Sequence, residues 1–167
     1  AMQIFDSILG GGMSSRLFQE VREKQGLAYS IYSFNSSYSD NGIFSIFTGS
    51  ENNNLQKLIT TIAKEVKGIS INLSEEEVSR AKAKIIASIL MSGESTMGRS
   101  QYLSCSYSFH NRYITKEELI EKISNITIND VKKIAEFIIE NKNLMTVAAI
   151  GPIDQFPSYE SIVKMFS

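Results

Sequence analysis

Between Leu27 and Thr48 the side-chain pattern of this chain has a period of two, whereas on both sides apolar residues recur every third or fourth position. A change of period from 3.6 to 2 and back confines strand formation to one hairpin set among helices. In its first arm Ala28, Ser30, Tyr32, Phe34, Ser36 and Tyr38 are expected on one face. Ser39-Asp40-Asn41-Gly42 follows, and an Asn-Gly pair between β-rich runs is a strong hairpin signal. Ile43–Thr48 is the returning arm.

Ahead of the hairpin, Met2, Phe5, Ile8 and Leu9 keep helical spacing until Gly10, Gly11 and Gly12 stop it. No Ser, Thr, Asp or Asn precedes Met2 as a cap, so the chain is expected to begin inside a helix. Ser14 or Ser15 can cap a second helix through Leu17, Phe18 and Val21 to about Gln25, ended by Gly26. Beyond the hairpin, Ser50 is expected to cap a helix with Leu55, Leu58, Ile59, Ile62 and Val66 on one face. Ser74 with Glu77, and Thr115 with Glu118, have the spacing of capping boxes. Thr127 opens a helix carrying Val131, Ile134, Ala135 and Ile138. Thr96–Phe109 is expected to be helical, Leu144–Ile150 a last buried strand, and Gln155–Ser167 to hold one short amphipathic turn or helix. Strands and helices so clustered predict one α+β domain over residues 1–167, a mainly antiparallel sheet with helices packed on one face.

Composition excludes several functions. Lys plus Arg number 17 against 18 Asp plus Glu, a net charge of −1, which disfavours a surface built to neutralise nucleic-acid phosphates. No apolar run reaches the ~20 residues of a membrane helix. The single Cys105 and single His110 allow no disulfide within the chain, and they supply too few ligands for the common zinc sets. Cys105 is expected to be buried, as are Tyr102, Tyr107 and Phe109. His110 and the basic run Arg80, Lys82 and Lys84 are expected on the surface.

Residues 9–34 read LGGGMSSRLFQEVREKQGLAYSIYSF. With Tyr38-Ser39-Asp40-Asn41-Gly42, Arg80-Ala81-Lys82-Ala83, Met91–Thr96 and Ala149-Ile150-Gly151-Pro152, this resembles the pitrilysin/insulinase-type zinc metallopeptidases, above all bacterial relatives of the mitochondrial processing peptidase. The resemblance covers essentially the whole chain. It implies a protein of two similarly folded halves, of which the N-terminal one holds zinc through an H-x-x-E-H motif and a further Glu. This chain resembles most of the C-terminal half. It would enclose a peptide or unfolded-protein substrate, with the N-terminal half as its partner and no zinc of its own, and would be inactive alone. Self-association into a homodimer is a further expectation. The location implied is the bacterial cytoplasm, or alternatively the mitochondrial matrix.

In that family an Arg and a Tyr seven positions later take part in catalysis, and Arg22 and Tyr29 match them. A guanidinium and a phenol are suited to holding a peptide carbonyl and the oxyanion that develops on it. Taken apart from the resemblance, Arg22 is a solvated helix end and Tyr29 a core aromatic on the Leu27–Ile31 face. The Gly10–Gly12 loop is open to two readings, a structural turn or a margin of the substrate chamber. The same fold also serves as a scaffold subunit, as in the core proteins of the respiratory bc complex, or as a peptide-binding module.

Overall fold

Met2–Leu9 forms α1, with Ile4, Phe5, Ile8 and Leu9 buried and no side-chain cap at its start. A computed structural model describes residues 1–167. After the glycine loop, Phe18–Lys24 forms a π-helix, followed by β1 (Ala28–Ser37) and β2 (Gly42–Ser50), which pair antiparallel. A 3₁₀ turn at Asn52–Asn54 leads into α2 (Leu55–Asn72). The remaining helices are α3 (Glu75–Ser92), α4 (Thr96–His110), α5 (Lys116–Ser124), α6 (Ile128–Glu140) and α7 (Tyr159–Met165). The α+β expectation holds, with helices packed against one face of the antiparallel pair. No helix is long and apolar enough to cross a membrane.

The core is assembled under the hairpin. Ile31 on β1 is buried, and Phe44 on β2 meets Phe5 of α1 edge-on, with ring centroids 5.2 Å apart. Leu58, Ile62, Val66 and Ile69 of α2 join Val131 and Ala135 of α6 in the same cluster, and Ile162 and Phe166 close it from the C-terminal end. Complete burial of one such side chain contributes about 1.5–3 kcal/mol.

Several local expectations are corrected. Leu144–Ile150 is not a strand: Lys142–Leu144 is a 3₁₀ turn, the following residues pair with nothing, and Leu144 and Ile150 are exposed. The described sheet has only two strands, so that segment finds no ladder to join. Ser50 is no helix cap; it ends β2, and its hydroxyl donates to the Leu27 carbonyl at 2.5 Å. Ser15 does not cap the second helix either, because its hydroxyl donates backward to the Gly12 carbonyl at 2.6 Å. The Ser74/Glu77 box forms as expected, and Thr127 makes another with Asp130. Thr115 forms only half a box. Its hydroxyl accepts from the Glu118 N–H, while the Glu118 carboxylate turns to Arg112 and Lys122, which hold its pKa down to about 2. On α4 only Ser106 is buried, so Cys105, Tyr107 and Phe109 are exposed and not core, and Tyr102 is half-buried.

Candidate functional site

The π-helix and β1 meet at Gly26. Its φ of +59° puts it in the left-handed region, where glycine meets no Cβ penalty. The reversal is closed by the Leu27 N–H donating to the Val21 carbonyl at 2.9 Å. Arg22 thus stands on the last turn of a π-helix, a rare element that is frequent at functional sites. Tyr29 stands one residue into β1.

Regular alternation from Ile31 would turn Tyr29 into the core. The ladder instead pairs Ala28 with Ser50 and Ser30 with Gly49, so Tyr29 is the extra residue of a β-bulge. Bulges re-aim side chains. Ala28 and Ile31 both face inward, and Tyr29 is 85% exposed. Tyr29 is therefore no core aromatic. Ala28 likewise leaves the face shared by Ser30, Tyr32, Phe34 and Ser36.

The exposed tyrosine ring meets Arg22. The guanidinium carbon lies 5.3 Å from the Tyr29 ring centroid and 4.9 Å from that of Phe18. Both distances suit a cation–π contact. Phe18 lies four residues before Arg22, a spacing visible in the sequence whose meaning depends on the helix that forms there. Arg22 makes no side-chain hydrogen bond within the chain, and its one carboxylate neighbour, Glu23, is 3.8 Å away. The Tyr29 hydroxyl is also without a partner in the chain. Two rings hold a cation that makes no hydrogen bond within the chain, beside a phenol that makes none either.

Behind this pair the π-helix is braced. Arg16 donates from Nε and Nη2 to the Glu77 carboxylate at 2.7 and 2.8 Å, and from Nη1 to Asn72 Oδ1 at 2.9 Å. Burial pushes the Glu77 carboxyl up, but hydrogen bonds from Arg16 and Ser74 outweigh it and leave the pKa below the usual value. Glu65 has no such donor. Burial, then the nearby Glu20, raise its pKa.

Each glycine of the loop has a packing role. A Cβ on Gly10 would lie 2.4 Å from the Ser33 backbone nitrogen, so β1 crosses the end of α1 only over a glycine. Gly11 lies against Ser7, and its carbonyl accepts from Lys84, which is thereby no purely solvated lysine. Gly12 adopts φ +147° and accepts from Ser15.

No three His, Cys, Asp or Glu side chains are grouped so as to hold a metal, and Cys105 and His110 stand on α4 away from Arg22.

Residues 1–85 match the family described as the peptidase M16 inactive domain, and the chain belongs to that family, the C-terminal domain of zinc-protease-like proteins. It is 39% identical over 152 residues to an uncharacterized zinc protease of Rickettsia felis, covering 91% of this chain and 36% of that protein. It is 28% identical over 159 residues to the mitochondrial-processing peptidase subunit beta of Blastocladiella emersonii, covering 95% of this chain and 34% of that one. Among solved structures, a chain of complex III2 from Candida albicans superposes with a TM-score of 0.84 at 20% identity, covering 98% of this chain and 41% of that one, a likeness of fold alone. The chain spans about a third of the length of the curated relatives it matches.

Proposed function

We propose that this domain is the substrate-enclosing, transition-state-assisting half of a zinc metalloendopeptidase, and that Arg22 and Tyr29 hold the carbonyl of the peptide bond to be cleaved. The metal belongs to the other half of the protein, the domain's expected partner. The observation that carries this reading is the exposed Arg22–Tyr29 pair, in close contact yet with no side-chain hydrogen bond made by either residue within the chain and only a 3.8 Å approach of Glu23 to Arg22. Stacking fixes the plane of the guanidinium, so less freedom is lost when its N–H groups engage an acceptor. The phenol then donates to the carbonyl oxygen as negative charge grows on it. In this reading Gly10 seats β1 against the end of α1, and the Gly10–Gly12 loop forms a margin of the substrate chamber beside the pair.

The test uses the whole protein, with both halves present. Tyr29→Phe keeps the ring against Arg22 and removes one donor, so kcat falls by about 10²-fold or more. Arg22→Ala lowers kcat/KM, with KM rising where the contact exists in the ground state. Zinc content stays unchanged in both. Full activity in Tyr29→Phe, with the fold intact by circular dichroism, overturns the proposal.

A further inference from the structure

The outward face of the hairpin carries rings where a solvent-facing sheet carries polar side chains. Tyr32 and Phe47 are cross-strand partners, stacked with centroids 5.2 Å apart, and Phe34 lies 6.1 Å from Tyr32. The three are 45%, 51% and 44% exposed. Leu27–Ser39 and Asn41–Ser50 contain no charged residue, so neither arm of the hairpin selects a ligand by charge. Across the bulge this face is continuous with Tyr29.

We infer that the Tyr32–Phe47–Phe34 shelf receives an aromatic or branched apolar side chain of the peptide substrate, two or three residues along from the bond held at Arg22 and Tyr29. This rests on the proposed role of that pair. At the rise of an extended chain, Tyr32 is about 7–10 Å from Tyr29 along the strand, or two to three residues of a bound peptide. Ile43, opposite Ser36, lies on the same face and is 59% exposed; with about 150–250 Å² per large side chain, the shelf, Ile43 and Tyr29 together expose about 400–700 Å². A standard interface between proteins takes roughly 800 Å² from each partner, so this apolar area alone falls short of one and matches a few side chains of a peptide. Stacking Tyr32 on Phe47 leaves a flat apolar surface that a third ring can join offset or edge-on.

The probe is a neutral fluorescein-labelled peptide of ten residues with one Phe, compared with the same peptide carrying Ala there. Binding is read by anisotropy on the whole protein, with a chelator present so that the probe stays intact. The Phe probe is expected to bind about tenfold more tightly, the effect of covering roughly half an aromatic side chain. Phe47→Ser and Tyr32→Ser are each expected to bring the ratio within twofold. Arg22→Ala weakens both probes alike and keeps the ratio, so the shelf and the Arg22–Tyr29 pair fail separately. A ratio near one in the unaltered protein overturns the inference without any variant having to fold. It is equally overturned if hydroxyl-radical footprinting finds Phe47 shielded in the probe-free protein, where the other half would be the occupant. A dimer that Phe47→Ser dissociates overturns it too, with a second copy as the occupant.

Discussion

Replacing Arg16 with Met keeps the aliphatic stem and removes the guanidinium from the Glu77 carboxylate. The two side chains are 14% and 20% exposed and share two charge-assisted hydrogen bonds of 2.7 and 2.8 Å. Breaking a buried pair from one side costs about 3–5 kcal/mol, and partial exposure reduces that here to about 2–3 kcal/mol. The pH dependence has a fixed sign. The folded pKa of Glu77 is depressed, so its contribution is present above the ordinary carboxylate value and is lost as pH falls through the lower folded value. The Arg16→Met penalty is therefore full at pH 7 and shrinks below about pH 4. Urea unfolding of the wild type, Arg16→Met, Glu77→Gln and the double variant, at both ends of that range, isolates the coupling from the capping-box loss that Glu77→Gln also causes. A penalty under about 0.5 kcal/mol at neutral pH, or one equal at both ends, refutes the brace.

Three further outcomes are expected. Gly10→Ala drives a methyl into the Ser33 backbone and should cost at least about 2–3 kcal/mol in denaturant melts, so a neutral result contradicts the crossing described. Burial and Glu20 raise the Glu65 pKa, so the ionised carboxylate opposes folding above its folded pKa; Glu65→Gln should raise Tm at pH 7 by about 2–4 °C and lose that advantage as pH falls. Cys105 is exposed, so a maleimide should label the native chain nearly as fast as the urea-unfolded one; strong protection would place α4 against other residues.

The order of elements was legible because spacing and caps are local. The Ser74/Glu77 box and the apolar stripe of α2 required nothing beyond their own neighbours. Arg22 and Tyr29 were picked out through the resemblance, and the structure brings them together. Their sequence neighbourhood alone pointed to a core tyrosine, because an alternation argument cannot see a one-residue bulge whose cause lies in the pairing with Gly49 and Ser50. The π-helix was hidden for a similar reason: Leu17, Phe18 and Val21 fit a 3.6-residue period as well as a wider one. Residues 144–150 have the composition of a strand, yet a strand needs a partner edge, and composition does not supply one. Along α4, aromatic content does not signal burial, since Tyr107 and Phe109 are 56% and 67% exposed.

The pairing of α1 with α6 also has a consequence during synthesis. Phe5 and Val131 lie in one core cluster, although 126 positions separate them in the chain. At about 5–20 residues per second, the ribosome takes roughly 6–25 s to deliver α6 after α1 has been made. Throughout that interval the apolar stripe Ile4, Phe5, Ile8 and Leu9 lacks one of its covering helices. A ribosome stalled between α2 and α6 would present that stripe to whatever apolar surface arrives first.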